Sequence, residues 1–378
     1  LFARSVEATI ESGIDLRINS IVTNVNKEDK VVSYICNNVE EQISYDKLIV
    51  CSGANPIVPD FGTYNKDRVT TLTSMEDGHK LRSLLEDDNN KSIAIIGGGF
   101  IGLEVMDAAH ELGKEITLIE RDVNVLAMQY SPDMIEVVEE EIKDSRINLL
   151  TNTSVEGISD IDNQIKITTD KGDIVVDVVV MAIGFRPNTS FIEIDKAPNG
   201  AIIVNEKSET NFEDIYAIGD CSLIYNYVKD TMDYIPLATG ANKQGRMVAD
   251  YLGGNKTFFK GLLGSSCLKV LDYELANTGI NEKQAIKLGI NYKTKFVKDN
   301  NQTDYCGPQY PIYAKITYDP DTLVILGCEM IGKKGVVGRI NTIAVAIYGK
   351  VTTQELGYMD FCYAPPFSRT WDMLNVIG

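Results

Sequence analysis

Histidine is almost missing from this chain: only His79 and His110 occur in 378 residues. A histidine-rich metal centre and Ser-His-Asp hydrolysis are thereby disfavoured, because both need imidazoles at fixed places. His110 falls inside a helical pattern and is expected at the surface. No apolar run approaches about 18 residues, so no membrane-spanning helix is predicted, and no signal peptide is visible. Cysteine occurs at Cys36, Cys51, Cys221, Cys267, Cys306, Cys328 and Cys362, never as C-x-x-C. An odd, scattered set of thiols points to a reducing, cytoplasmic setting. Basic residues are few: 36 Lys and Arg face 54 Asp and Glu, a net charge of −18. That balance argues against nucleic acid and against an anionic membrane surface as partners. An initiator Met is also missing. The chain opens at Leu1 in what reads as the middle of a helix, LFARSVEATIESG, and is expected to be a piece of a longer protein.

What is present is a chain long enough for two or three domains, organised around residues 92–121, SIAIIGGGFIGLEVMDAAHELGKEITLIER. An apolar run, Ile93 to Ile96, predicts a buried strand. Gly97-Gly98-Gly99-Phe100-Ile101-Gly102 fits G-x-G-x-x-G and opens a helix that ends near Gly113. A second strand, Ile116 to Ile119, closes on Glu120, 18 residues after Gly102. This is the start of a dinucleotide-binding βαβ unit. Gly97 allows the tight turn, Gly99 lets backbone approach a pyrophosphate, and Gly102 lets helix pack on strand. The helix start offers N–H groups and a positive dipole end to phosphates. Glu120 favours the ribose hydroxyls of NADH. Arg121 beside it suits a 2′-phosphate, which keeps NADPH open. Glu104, one turn into the helix, either orients a carboxamide or is a solvated surface acid. Gly184 ends a later strand where the loop can approach a nicotinamide.

Around this unit the patterns predict a helix over 1–12, strands over 14–25, 31–36 and 44–51, and a helix over 74–87. Beyond Glu120 they predict a helix from Pro132 to Lys143 and strands over 147–150, 157–161, 164–169 and 174–183, the last three as an antiparallel meander. A strand at Ile215 to Ile218 runs into Gly219-Asp220, and a helix follows from Gly240 to Tyr251. After about Lys256 the composition shifts to a separate α+β unit.

Three motifs in this order resemble the FAD-dependent pyridine nucleotide-disulfide oxidoreductases. They are Cys51-Ser52-Gly53-Ala54-Asn55-Pro56, Gly97 to Gly102 with Glu104, and Thr210 to Asp220. The segments Leu237 to Arg246 and Asp360 to Ser368 resemble the branch that holds coenzyme A-disulfide reductases and NADH oxidases and peroxidases. No histidine follows His110, which disfavours the glutathione reductase-like branch and its C-terminal His-Pro pair. The resemblance implies an α/β fold: an FAD domain over 1–85 and 196–257, incomplete at its start, an NAD(P)H domain over 86–195 inserted in it, both doubly wound, and an α+β dimerisation domain over 258–378.

The resemblance also assigns roles. Ser52, Gly53, Gly219 and Asp220 belong to FAD, Asp220 at the ribityl chain, with a helix N-cap as the alternative. Pro236, Leu237 and Ala238 lead a helix start toward the flavin pyrimidine. Asn242 contacts substrate or cofactor, or is a surface amide. Tyr363 and Tyr305 match active-site tyrosines contributed by the partner subunit of a homodimer. Trp371 stands where some coenzyme A-disulfide reductases carry a basic residue and fits the oxidase pattern better. Cys221 is expected to be a small buried residue, and Cys306 and Cys362 have no cation at fixed spacing to lower their pKa. The first FAD glycine motif and a single redox cysteine, usual in this branch, are not in these residues.

The activity implied is hydride transfer from NADH, or NADPH, through FAD and a redox cysteine to coenzyme A disulfide or a related low-molecular-weight disulfide or persulfide. The alternative within the branch is an NADH oxidase or peroxidase. The alternative of another class is an NADH-binding, dimer-forming fragment without catalysis.

Overall fold

Periodicity of two and of 3.6 along the chain resolves into strands and helices that a computed structural model describes for residues 4–256 and 259–378. The chain forms two compact units, one of Leu1–Ala54, Pro187–Tyr225 and Met232–Phe259, the other of Asn55–Arg186, Asn226–Thr231 and Lys260–Gly378. Residues 1–3 of the expected first helix, and residue 258 at the expected domain start, lie outside the described residues.

In the first unit a helix, Val6–Glu11, starts at Ser5, whose side chain accepts from the Ala8 N–H. An antiparallel sheet follows: Ser20–Asn26, Val31–Cys36 and Val39–Ser44. The last strand, VEEQIS, is exposed along its length and was not expected, because acidic edge strands carry no apolar alternation. Its signal was Asn37-Asn38, both at positive φ, a two-residue hairpin turn of the kind that suits strand twist. Leu48–Val50 pairs in parallel with Ile215–Ala217. Val25, Val32, Val50, Ile192, Ile202, Ile215 and Cys221 share one core. Cys221 is fully buried, as expected. The helix after Pro236 runs Ala238–Leu252. It begins two residues before the expected start, because Leu237 already has the extended backbone of an N-cap.

In the second unit five parallel strands lie in the order Val69–Thr70, Val178–Met181, Ser92–Ile96, Glu115–Ile119, Asn148–Leu150. This sheet recruits Val69–Thr70 and so reaches upstream of the expected boundary at residue 86. Likewise Ile192 packs in the first unit's core, so that boundary falls near 186 rather than 195. The expected single strand over 174–183 is two: Gly172–Val176 completes the meander and Val178–Met181 enters the parallel sheet. Asp177 makes the break. Its carboxylate accepts from the N–H groups of Lys91 and Ser92, the Ser92 hydroxyl and the Gln164 amide, all at 2.8–2.9 Å, which turns the chain out of one sheet and into the other.

The C-terminal sheet is antiparallel, in the order Ser266–Val270, Tyr273–Gly279, Ile325–Gly332, Pro311–Tyr318, Lys293–Asn300. One face packs on the helix Val336–Tyr348. The other shares a core with the parallel-sheet region: Leu103, Met106, Met134 and Ile135 cluster with Leu268, Val270, Tyr273, Leu275 and Ile331. That continuity is why the NAD(P)H-type region and the C-terminal domain, expected as separate domains, form one compact unit.

Glu329 sits inside this contact, 2% exposed. Its carboxylate accepts from the Ser131 N–H at 2.6 Å and the Ser131 hydroxyl at 2.8 Å. Burial pushes this carboxyl up from 4.5 to about 7. An acid with a higher pKa folded than unfolded makes the native state bind more protons. Its favourable contribution is therefore complete below pH 4.5 and is lost as pH rises through about 7. Glu329→Gln keeps both hydrogen bonds without the buried charge. Urea unfolding at pH 5 and pH 8 is expected to show that the variant lacks a loss of about 2.5 kcal/mol that the unaltered chain suffers.

Candidate functional site

The glycine turn of the second unit is built by close approach. Gly97 has φ +109°, and a Cβ on it would strike the Ala182 carbonyl. A Cβ on Gly102 would lie far inside contact with the Gly97 carbonyl. Gly97 N–H donates to the Ile119 carbonyl at 2.8 Å, binding the turn to the neighbouring strand. The helix Phe100–Glu111 starts at Gly99 with no side chain capping it, and a Cβ on Gly99 would meet open space. Glu120, at the end of the second strand, accepts from the Gly98 N–H at 2.6 Å and the Asp122 N–H at 2.7 Å. The sequence-predicted Gly97, Gly98, Gly99, Phe100, Ile101, Gly102 and Glu120 are thus brought into one hydrogen-bonded cradle. Glu104 and Arg121 are exposed. Gly184 has φ +112° and its carbonyl accepts from Ile57 N–H at 2.9 Å. His110 is exposed, as expected.

A second acid–glycine turn lies in the first unit. Gly219 has φ +73°, and its N–H donates to Gln244 Oε1 at 2.9 Å. Gln244, buried in the helix, donates in turn to the Leu223 carbonyl. Asp220 stands within a 3-10 turn, Gly219–Cys221, whose N-cap is Ile218. The N-cap alternative for Asp220 is therefore not realised. Burial raises its carboxyl above the ordinary range, and the Tyr234 hydroxyl donates to its backbone carbonyl at 3.2 Å. Burial, with Asp220 beside it, pushes the Tyr234 phenol up to about 12, so it stays a donor. Ser52 donates to the Asn188 carbonyl at 2.6 Å, and Asn188 N–H donates to the Gly53 carbonyl at 2.9 Å. The helix led by Pro236, Leu237 and Ala238 has no side-chain cap. Asn242 is exposed and accepts from Arg246 at 3.2 Å. Tyr234 and Gln244 were not singled out from the sequence. Gln244 lay inside a quoted motif, but nothing local marks Tyr234 among 18 tyrosines.

The two candidate tyrosines, 58 residues apart, meet: Tyr305 and Tyr363 hydroxyls lie 3.0 Å from each other, on exposed rings. The loop carrying Tyr305 is held by buried Asn301 and Gln302, with Gln302 donating to the Cys306 carbonyl at 2.7 Å. The Thr303 hydroxyl donates to the Pro365 carbonyl at 3.0 Å and joins the two segments. The bond to Tyr363 holds the Tyr305 pKa above the ordinary phenol value. Trp371 packs edge-on against Tyr358 at 6.3 Å. All seven cysteines are free. Burial raises the thiols of Cys221 and Cys328. Cys51 is exposed as a residue, yet desolvation of its sulfur beside Cys221 pushes it up to about 11. These three are poor thiolates at neutral pH.

The residues present fit the groups that such turns hold. The Gly97–Gly102 cradle combines an uncapped helix start, an open approach at Gly99 and a pre-set acid, the donor set for a dinucleotide. At Asp220 no donor among the described residues reaches a half-buried carboxylate, which suits a polyhydroxyl chain. No helix among the described residues is long and apolar enough to cross a membrane, and no cluster of His, Cys, Asp and Glu among them could hold a metal ion.

Comparison with known proteins agrees. The family described as "Pyridine nucleotide-disulphide oxidoreductase" matches residues 3–245, and its "dimerisation domain" matches residues 265–374. The chain is 29% identical over 384 residues to an NADH oxidase of Enterococcus faecalis, covering 100% of this chain and 86% of the relative. It is 31% identical to an NAD(P)H coenzyme A polysulfide/persulfide reductase of Pyrococcus horikoshii, covering 97% and 82%. The water-forming NADH oxidase of Lactobacillus brevis, solved with NADH bound, superposes with a TM-score of 0.95 at 31% identity, over 100% of this chain and 84% of that one. The chain belongs to the pyridine nucleotide-disulphide oxidoreductase family.

Proposed function

We propose that this chain carries the NADH- and FAD-binding machinery of a homodimeric oxidoreductase that reduces coenzyme A disulfide or a related small disulfide or persulfide. The observation that carries the reading is the Gly97–Gly102 cradle with Glu120 already held at its side. The pyrophosphate of NADH approaches at Gly99, over the N–H groups of Phe100, Ile101 and Gly102 and the positive end of the helix. Each Glu120 oxygen accepts one backbone N–H and keeps a lone pair for a ribose hydroxyl, while its charge repels a 2′-phosphate. Exposed Arg121 lessens that penalty and leaves NADPH a weaker substrate. Glu104 and Gly184 flank the nicotinamide end.

FAD supplies reversible two-electron redox chemistry between NADH and the acceptor. Ser52, Gly53, Gly219 and Asp220 hold it, Asp220 accepting ribityl hydroxyls, with the uncapped helix start at Pro236, Leu237 and Ala238 favouring negative charge nearby. Tyr305, its phenol raised by the bond to Tyr363, and Tyr363 are placed to donate a proton to a departing thiolate. Asn242 contacts the substrate. The dimerisation-domain match supports the homodimer, and seven free thiols fit a cytoplasmic setting. A second reading, NADH oxidase or peroxidase, is favoured by Trp371 and by the oxidases among the relatives. Assays of NADH oxidation with coenzyme A disulfide against dissolved oxygen choose between them.

Two outcomes are expected. Gly99→Leu, with open space for its side chain, folds normally but weakens NADH binding by about 100-fold or more, about 3 kcal/mol. Titration calorimetry and a melting curve check both halves, and unchanged affinity sinks the assignment. Tyr363→Phe lowers kcat by about 100-fold, the lower end for a lost general acid, with KM for NADH unchanged in steady-state kinetics.

A further inference from the structure

The segment after Glu120, residues 121–131, is fastened on two sides. On one side it lies against the glycine turn. Leu126 N–H donates to the Gly98 carbonyl at 2.9 Å, and Val125 Cγ1 is 2.8 Å from where a Cβ on Gly98 would be. Asp122 N–H shares the Glu120 carboxylate with Gly98 N–H. On the other side it is held by the C-terminal domain. Lys283 Nζ donates to the Ala127 carbonyl at 2.8 Å, Asn281 Nδ2 donates to the Met128 carbonyl at 3.2 Å, and Glu329 accepts both the N–H and the hydroxyl of Ser131.

Between the two sets of anchors sits Leu126. It is 2% exposed and has φ +50°, a conformation that a leucine adopts only where its surroundings over-determine it. The strained residue is the one whose N–H reaches the glycine turn. A segment free to relax would leave that conformation and release the Gly98 carbonyl. Holding it from both sides keeps the turn in one geometry before the dinucleotide arrives, and preorganisation of this kind lowers the cost of binding.

We propose that Asn281, Lys283 and Glu329 of the C-terminal domain are positioning residues for dinucleotide binding, acting through the strap 121–131 on the turn at Gly98. The inference rests on the reading of Gly97–Gly102 as the NADH site. It adds that NADH affinity is set in part by residues more than 150 positions away along the chain, none of which belongs to the cradle. Glu329 acts by its two accepted bonds, which Gln reproduces: its carbonyl takes the Ser131 N–H and its amide donates to the Ser131 hydroxyl. Ala reproduces neither. Lys283 is exposed, so its removal leaves the core intact.

The test measures the dissociation constant for NADH and amide hydrogen exchange over 121–131 in the full chain and in Glu329→Ala, Glu329→Gln, Lys283→Ala and Gly99→Leu. Glu329→Ala is expected to weaken NADH by about tenfold and Lys283→Ala by about threefold. Both are expected to speed exchange in 121–131 while the strand Ser92–Ile96 stays protected. Glu329→Gln is expected to keep NADH affinity and exchange in 121–131 within about twofold of the unaltered chain. If Glu329→Ala does not fold, Lys283→Ala carries the same comparison. Faster exchange in 121–131 with unaltered NADH affinity overturns the proposal. If Gly99→Leu also binds NADH normally, the dinucleotide reading itself falls. If Gly99→Leu loses NADH and the strap variants keep it, the strap alone falls.

Discussion

The close approach of Gly102 to the Gly97 carbonyl is the constraint from which the second unit is built. No side chain fits there, so the helix Phe100–Glu111 can start directly at the strand end. That start places three backbone N–H groups and the helix dipole over the turn. It also brings the next strand back in register, Ile93 beside Ile116 and Ile96 beside Ile119, so that Glu120 arrives at Gly98. One missing methyl group thus determines where an acid meets a backbone amide 22 residues away.

Apolar burial then decides what the turn is attached to. Leu103 and Met106 on the turn's helix, and Met134 and Ile135 on the next, bury against Val270, Leu275 and Ile331 of the C-terminal sheet. Burying side chains of this size contributes about 1.5–3 kcal/mol each, enough to offset a charged group taken inside. Glu329 is that group. As an ion it destabilises the contact, yet it satisfies the N–H and the hydroxyl of Ser131, the N-cap of the helix Pro132–Asp144. Near it Lys315 is paired with Asp133 and Glu282 at 3.0–3.1 Å. These bonds are directional where the apolar contact is not, and so fix the register of one domain against the other.

The chemistry proposed for the chain follows the same division of labour. The bond to Tyr363 raises the phenol of Tyr305, and burial raises that of Tyr234. The buried thiols are kept from ionising. Of the groups proposed to meet a ligand, the Asp220 carboxylate and the two uncapped helix starts have no side-chain partner among the described residues.

By itself the sequence determined the elements whose cause is local. The strand–turn–helix–strand over 92–120 and the proline-led helix at Pro132 were legible because sterics of glycine and proline and side-chain period act within a few residues. The family resemblance rested on the same local motifs, and it brought Tyr305 and Tyr363 forward as separate candidates. Tertiary structure alone decided what depends on residues far apart meeting. Asp177 splits one apolar run between two sheets because it faces Lys91, Ser92 and Gln164. Two tyrosines become a pair, Tyr234 finds Asp220, and Glu329 finds Ser131. Each of these is a contact closed across a long loop, whose free energy belongs to the folded packing and leaves no periodic trace along the chain.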